Sequence, residues 1–333
     1  MSQWGISSDA ADLHADALVW DMTLPIITPG TPERKGELFA RSAAAGFDFQ
    51  SITLAIDGMD FRAAAQQIAI HRAFVAERSD ACLLVDSAEG VWEARKAGKL
   101  AVGFHFQGTA PFEEEPGWVD LFYQLGVRHA LMAYNEKNRV GCGCHVAEDT
   151  GLSDLGRELV AEMNRVGMLV DCAHTGDRTS METIEASESP VIISHTNVRA
   201  LCDHPRCVWD EQIEACAATG GVLGMTGLSP FLGEGGSTPE RLVDHIDHVA
   251  ALVGAQHVGL GLDYVYDLGT FEAFVVRMPD RYPPDAGYAD MAQLALEDAP
   301  RITEELLRRG YAEKEIRGIL GENWLRVCEE VWK

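Results

Sequence analysis

Three side chains capable of acid–base chemistry end apolar runs of strand length in the second half of the sequence. His174 ends GMLVDCAH, His195 lies near the end of PVIISHT, and Asp263 follows HVGLGL. A carboxylate at the end of a buried strand is costly unless a cation or an exchangeable proton lies opposite it. Two neutral imidazoles can share a divalent metal ion, which lowers the pKa of a bound water molecule from about 16 to about 7. A neighbouring carboxylate can then accept the proton, so the three residues indicate metal-assisted hydrolysis.

Polar side chains also end three apolar runs in the first half of the chain. ALVWDMTL ends near Asp21 and Thr23, and HALMAYN ends near Tyr134. LAVGFHFQG ends with His105 and Gln107, which the two-residue period of a strand places on one face. A single histidine at a strand end is more often a hydrogen-bonded loop residue than a ligand. Two histidines on consecutive strands, together with an aspartate after the last strand, favour a metal site.

Eight apolar runs alternate with helical patterns, and these elements must position the polar residues. The runs are continuously apolar, which is typical of parallel strands that are buried on both faces. Eight strand–helix repeats favour a closed (β/α)8 TIM barrel over an open sheet. Two more helical patterns follow, in residues 291–310 and 312–332. We predict one barrel domain over residues 1–333 with additional C-terminal helices, because no change in composition marks a second domain.

The predicted barrel determines where chemistry occurs. The active site of such a barrel lies at the carboxyl ends of its strands. His174 and His195 end consecutive strands, whose backbones lie about 4.8 Å apart, so their imidazoles can reach one ion. We expect His245 and His248, three residues apart on an outer helix, to serve helix packing or to face solvent.

The composition excludes several classes of partner and predicts the compartment. The chain has 27 Lys and Arg against 52 Asp and Glu, a net charge of −25, and phosphate binding needs basic patches. We therefore expect no nucleic acid and no membrane partner. The N-terminus lacks the signal-peptide pattern and no apolar run is long enough to span a membrane, which predicts a cytoplasmic protein. Its cysteines are expected to be reduced thiols, and the spacing of Cys142 and Cys144 does not match a structural zinc site.

Long segments of the second half carry motifs in a recognisable order. These segments are GLSDLGRELVAEMNRVGMLVDCAHTGDRTSMETIEASESPVIISHTNVRALCDHPRCVWDEQ, TPERLVDHIDHVAALVGAQHVGLGLDYV and GENWLRV. They resemble the membrane (renal) dipeptidase family of metallopeptidases, family M19 of the amidohydrolase superfamily. The resemblance implies a (β/α)8 barrel with a two-zinc site that hydrolyses dipeptides, including dipeptides with a D-residue at the second position. It also implies a homodimer.

The resemblance assigns roles to four residues. His174 and His195 would bind the second zinc. Asp263 would bind the first zinc and the attacking water and would handle the proton of that water. Arg206, in HPRC, would hold the carboxylate of the substrate, a task that suits a planar bidentate donor.

The first half departs from the family at the positions that would bind the first zinc. WDMTLP places Asp21 and Thr23 where the family has a His-x-Asp pair, and Gln107 stands in place of a bridging glutamate. A neutral amide does little to offset the repulsion between two dications. We therefore expect one Zn²⁺, or a similar divalent ion, on His174 and His195.

Other residues would complete the site around this single ion. Asp263, Gln107, Asp21 or water would fill the remaining coordination positions. Tyr134 stands where the family has a histidine that stabilises the oxyanion, and its hydroxyl can donate a hydrogen bond instead. His105 is an alternative ligand because it lies near Gln107, although a structural role is favoured for it.

The sequence leaves three functions open. The first is a dipeptidase-like hydrolase that cleaves a dipeptide or a related small amide bearing a carboxylate. The second is a degenerate barrel that binds a small acidic ligand without turnover, and the third is a metallohydrolase that acts on a non-peptide metabolite. The altered first-metal residues motivate the last two hypotheses.

Overall fold

Parallel strands close into a barrel in the computed structural model, which describes residues 3–26 and 32–333. The strands of this part of the chain are β1 (Trp20–Pro25), β2 (Phe49–Ile56), β3 (Cys82–Leu84), β4 (Leu100–Gln107), β5 (Val127–Leu131), β6 (Leu169–Asp171), β7 (Val191–Thr196), β8 (Leu223–Met225) and β9 (Val258–Leu260). Neighbouring strands follow the order β2-β1-β9-β8-β7-β6-β5-β4, and pairing of β2 with β4 closes the ring. The prediction of a (β/α)8 barrel is therefore confirmed, and the eight predicted strands form this ring.

One further strand, β3, lies outside the ring of eight. It contains most of the short run ACLLV and pairs only with the first residues of β4, beginning with Cys82 opposite Leu100. The boundary of one domain over residues 1–333 stays a prediction.

Helices follow or precede each barrel strand in the described residues. The α-helices are Ser8–Asp16, Pro32–Ala44, Phe61–Ala76, Ala88–Lys96, Gly117–Gln124, Asp154–Val166, Asp177–Ala186, Asp210–Ala218, Ser229–Leu232, Pro239–Val253, Leu268–Val275, Ala299–Arg308, Glu313–Arg317 and Asn323–Val331. Short 3-10 turns are Ala110–Phe112, Ala255–His257, Pro284–Ala286 and Leu296–Asp298, and Gly318–Glu322 is a π-helix. Within the described residues, none of the helices combines the length and the apolar character needed to cross a bilayer.

The helix between β5 and β6 shows how local sequence sets these boundaries. It begins after Ser153, whose hydroxyl accepts a hydrogen bond of 3.1 Å from the Gly156 amide. It ends at Gly167, which has φ of 91° and therefore adopts the left-handed conformation that glycine tolerates best. The chain can then turn directly into β6, which leads to His174.

Aromatic packing fills the amino-terminal end of the barrel. Trp20 of β1 stacks on Phe49 of β2 with ring centroids 3.9 Å apart. Trp324, from the last helix, is fully buried, and its indole N–H donates a hydrogen bond of 3.0 Å to the Leu260 carbonyl. This end of the barrel holds apolar packing, so the polar strand ends gather at the opposite, carboxyl end.

Two glycines of GLGLD allow the last strand to approach its neighbours closely. A Cβ on Gly259 would overlap the indole of Trp324, and a Cβ on Gly261 would overlap the Ser194 carbonyl oxygen of β7. Glycine is therefore required at both positions by close packing. This packing fixes the strand that delivers Asp263.

Replacing Gly259 by alanine is expected to destabilise the barrel, because the new methyl group displaces the buried Trp324 indole. The free energy of unfolding should fall by about 2 kcal/mol or more. Gly269→Ala, on a helix where the nearest atom is 3.9 Å from the added Cβ, is the matched control and should leave stability unchanged or raise it. Denaturant titrations followed by circular dichroism measure both, and equal midpoints for the two variants would contradict the packing argument.

Candidate metal centre

His174, His195 and Asp263 meet at the carboxyl end of the barrel. Ligand atoms of the three side chains lie within 4.8 Å of one another, and all three residues are buried. The two imidazole rings have their centroids 4.9 Å apart and stand at 62° to each other. In the part of the chain that the structure describes, this is the one group of His, Cys, Asp or Glu side chains whose spacing suits an ion.

One nitrogen of each imidazole is held in place and the other is left without a partner. His174 Nδ1 lies 2.6 Å from Asn135 Oδ1, an acceptor, so Nδ1 carries the proton of a neutral ring. His195 Nδ1 lies 2.8 Å from Ser194 Oγ and 3.1 Å from Thr23 Oγ1. Both Nε2 atoms are buried without a hydrogen bond. A buried polar atom without a partner costs about 1–3 kcal/mol, and coordination of a cation would remove that cost. The residues therefore fit a divalent metal ion.

Burial shifts the pKa of all three groups toward their neutral forms. It lowers the pKa of both His174 and His195 well below the ordinary value, and the charge of Arg206 acts in the same direction. Both rings are therefore neutral near pH 7, as ligands must be. Burial raises the pKa of Asp263 to about 7, Arg206 opposes that shift, and the nearby Asp21 adds to it.

The backbone turns sharply at the residues that face the site. Asn135, His174 and Asp263 have φ of 56°, 60° and 57°, and they are three of the four described non-glycine residues in the left-handed region. This conformation costs about 1–2 kcal/mol for an L-residue. Such strain clusters where side-chain placement matters, and here it turns the chain three or four residues after β5, β6 and β9 end, at the barrel mouth.

Asp21 lies beside the three-residue group, with its carboxylate engaged by the protein. One carboxylate oxygen accepts hydrogen bonds from the Leu262 amide at 2.9 Å and the Thr23 amide at 3.2 Å, and the other lies 3.4 Å from Gln50 Nε2. Asp21 thus ties the end of β9 to β1, immediately before Asp263. Its role as a metal ligand stays a prediction.

Gln107 and His105 lie on the same face of β4 but have different surroundings. Gln107 lines a small chamber of about 40 Å³ together with His174 and Asp263, and its amide N–H donates to Thr53 Oγ1 at 3.1 Å. The two nitrogens of His105 lie 2.9 Å from Ser51 Oγ and 2.9 Å from Thr53 Oγ1. His105 therefore has a partner for each nitrogen and belongs to the barrel interior, whereas Gln107 remains a ligand prediction.

Tyr134 forms another wall of the same chamber. Its ring stacks on His174 with centroids 4.1 Å apart, and its hydroxyl lies 2.8 Å from the Tyr282 hydroxyl. Burial raises the pKa of Tyr134 well above the ordinary value, so the hydroxyl keeps its proton. When Tyr282 is the donor of this hydroxyl pair, Tyr134 can donate its own proton into the chamber.

Arg206 is buried behind His195 with part of its hydrogen-bonding capacity unused. One terminal nitrogen donates to the His195 carbonyl at 3.0 Å, and the guanidinium carbon lies 5.3 Å from the Phe231 ring centroid. Its Nε has no partner. A buried guanidinium with an unused N–H is well suited to bind a carboxylate.

Three residues of the site received no functional role from the sequence. Asn135 and Ser194 orient the two histidines, and Tyr288 lines the chamber and hydrogen-bonds His145 Nε2 at 2.8 Å. Asn135 is visible as the polar residue that ends a strand run. Tyr288 lies in a segment without strand or helix periodicity and gives no such signal.

The comparisons with known proteins decide the family. The family model described as "Membrane dipeptidase (Peptidase family M19)" matches residues 31–275 and 286–333. The chain belongs to this family. It is 30% identical over 272 residues to dipeptidase verJ of Clonostachys rogersoniana and 31% identical over 264 residues to dipeptidase 3 of Rattus norvegicus. These matches cover 81% and 74% of this chain but only 65% and 48% of those dipeptidases.

A solved structure supports the barrel fold over nearly the whole chain. An amidohydrolase from Pseudomonas aeruginosa superposes with a TM-score of 0.89 at 34% sequence identity. The match covers 97% of this chain and 99% of that one. The resemblance seen in the sequence is confirmed by the family match, which extends into the first half of the chain.

The three-residue group predicts the metal content of the protein. Protein equilibrated with zinc and freed of excess should retain about one ion per chain, and His174→Ala or His195→Ala should lose it because each removes an imidazole donor. Cys142→Ser and Cys144→Ser are the controls and should retain it. Elemental analysis by mass spectrometry measures all four variants. Loss of metal in the cysteine variants with retention in the histidine variants would refute the site.

Asp263 and water on the ion determine how many protons zinc binding releases. Near pH 6 the raised pKa of Asp263 keeps that carboxyl largely protonated, so zinc binding should release about one proton from it. Near pH 8 the carboxyl is already ionised, and the released proton would come from water on the ion, whose pKa falls to about 7. The neutral histidines contribute little in this range. Calorimetry in buffers of different ionisation enthalpy measures the release, and Asp263→Asn should abolish it near pH 6 while leaving it near pH 8. A release near pH 6 that persists in Asp263→Asn would assign that proton to another group.

Proposed function

We propose that this chain is a metal-dependent hydrolase that cleaves the amide bond of a dipeptide or a related small amide bearing a carboxylate. The observation that carries this proposal is the convergence of His174, His195 and Asp263 with both imidazole Nε2 atoms buried and unpaired. Membership of the membrane dipeptidase family supports the same reaction class.

One divalent ion fits the site better than two, and zinc suits its nitrogen and carboxylate donors. His174, His195 and Asp263 would hold it, with Gln107 or water next and Asp21 as a more remote donor. The residues that would build a second site are changed. Thr23 hydrogen-bonds His195, and Gln107 brings no negative charge.

Each remaining residue of the site has a distinct task in the proposed reaction. The bound ion supplies Lewis acidity toward the carbonyl and lowers the pKa of water. Asp263 accepts the proton of the attacking water and delivers it to the leaving amine nitrogen. The Tyr134 hydroxyl donates a hydrogen bond to the oxygen that gains negative charge. Arg206 binds the carboxylate and so fixes the amide over the centre.

The second candidate is a barrel that binds a small acidic ligand without turnover. The residues at the positions of the first metal, Asp21, Thr23 and Gln107, favour it because they are weak metal ligands or bring no bridging charge. The two candidates differ in turnover. Zinc-loaded protein should hydrolyse a dipeptide with a D-residue at the second position, and chelation with EDTA should abolish the activity reversibly. If a dipeptide binds to the zinc-loaded protein but is not cleaved, the binding function without turnover is favoured.

Substitutions at Tyr134 and Arg206 should separate the roles of the two residues. Tyr134→Phe removes only the hydroxyl, so kcat should fall by about 10²-fold with little change in KM. Arg206→Met should raise KM strongly because it removes the carboxylate partner. Tyr282→Phe removes the hydrogen-bond partner of Tyr134 and leaves its hydroxyl, so it should reduce kcat much less. Steady-state kinetics measures all three, and equal losses for Tyr134→Phe and Tyr282→Phe would argue against an oxyanion donor.

A further inference from the structure

A large apolar cavity adjoins the chamber that contains the metal centre. It measures about 570 Å³, and its walls include Ile56, Met59, Phe271, Phe274 and Met278. It shares five lining residues with the small chamber, namely Pro25, Gln107, Tyr134, Val265 and Phe271. The two spaces therefore have a common wall, and a ligand at the metal centre lies next to the cavity.

The cavity and the carboxylate-binding arginine lie on opposite sides of the barrel mouth. Arg206 follows β7, whereas Ile56 and Asp57 at the cavity wall end β2. In the closed ring β2 and β7 are separated by three strands in either direction, so they are diametrically opposed. A substrate whose carboxylate contacts Arg206 and whose amide lies at the metal centre therefore directs its acyl half toward the cavity.

The charges around the cavity disfavour a free amino group on that acyl half. Among the described residues, Asp57 is the one carboxylate that lines the cavity, and it is committed to the protein. It accepts hydrogen bonds from the Ala110 and Tyr134 amides and from Asn138 Nδ2, at 2.9–3.0 Å. The wall also carries the guanidinium groups of Arg277 and of Arg281, the second of which is paired with the Glu136 carboxylate at 2.6 Å. An ammonium group entering here would lose hydration without gaining an anionic partner.

Part of the cavity wall lies outside the family match. Arg277, Met278, Arg281 and Tyr282 line the cavity, and all lie in residues 276–285, the stretch that the family model leaves unmatched. The family match therefore does not by itself define the shape of this wall.

We propose that the substrate is an N-acyl amino acid whose acyl group is neutral, bulky and apolar, and that this group occupies the cavity. The inference rests on the proposed hydrolase function and narrows its substrate class. The reaction adds water across the amide: the C–N bond breaks, the acyl carbon gains the hydroxyl, and the nitrogen leaves as the free amine with the transferred proton. The products are a fatty or aryl-acyl carboxylate and an amino acid.

Acyl-chain length provides the first test. Zinc-loaded protein is assayed with N-acetyl-, N-butanoyl- and N-octanoyl-alanine and with alanyl-alanine, using both alanine enantiomers. Each methylene that enters the cavity should raise kcat/KM about threefold to fourfold, so the octanoyl substrate should exceed the acetyl one by at least about 100-fold. Alanyl-alanine should be poorer than N-butanoyl-alanine, which is similar in size and lacks the charge. If the dipeptide is the best substrate, the inference fails while the hydrolase function stands.

A cavity-filling variant provides the second test. Ala273 lines the cavity from the exposed side of the helix Leu268–Val275, so Ala273→Trp should fill it without disturbing the core. The ratio of kcat/KM for N-octanoyl-alanine to kcat/KM for N-acetyl-alanine should fall at least tenfold in this variant. Glu272→Trp, next to it on the helix and outside the cavity lining, is the control and should keep the ratio. An unchanged ratio in Ala273→Trp would overturn the inference.

Direct binding decides the question if no amide is cleaved. Calorimetry with octanoate, the acyl product, should show binding to the wild-type protein and to Glu272→Trp and at least tenfold weaker binding to Ala273→Trp. In that case the hydrolase function fails and the cavity assignment survives. Absence of octanoate binding to the wild-type protein would remove the cavity assignment itself.

Discussion

Two imidazole nitrogens lie buried in the barrel mouth without a hydrogen-bond partner from the protein, and the arrangement of the site follows from this constraint. His174 Nε2 and His195 Nε2 are both buried and unpaired, at a cost of about 1–3 kcal/mol each. Their Nδ1 atoms are held by Asn135 and by Ser194, so neither ring can turn to satisfy the free nitrogen without breaking those contacts. A cation shared with Asp263 removes the cost, which is why the constraint indicates a metal centre rather than a packing defect.

Buried polar groups in the barrel interior support this centre from below. Asp171 accepts hydrogen bonds from the Ser194 amide at 3.0 Å and from His129 at 3.0 Å, and Ser51 bridges His129 to His105. The chain of contacts links β2, β4, β5, β6 and β7 beneath the ligands. Polar networks of this kind hold their members in one arrangement only when every group is satisfied. The network thereby fixes the strand end that presents His195.

The sequence predicts the part of the site that local pattern encodes. His174, His195 and Asp263 follow apolar runs, and parallel strands bring such ends together, so both the barrel and the three-residue group could be anticipated. Asp21 could not be understood this way, because one of its partners is the amide of Leu262, 241 residues away in sequence. The apolar cavity could not be predicted from the sequence either. Met278 and its neighbours lie in a segment that has no strand or helix periodicity, so their position in the fold could not be inferred.

Anomalous X-ray diffraction at the zinc absorption edge, on crystals grown with zinc, would locate the ion itself. A metal centre between the two histidines predicts a single anomalous peak per chain, within coordination distance of His174 Nε2, His195 Nε2 and an Asp263 carboxylate oxygen. A peak at Cys142 and Cys144 with none between the histidines, or no peak at all in crystals of the folded protein, would contradict it.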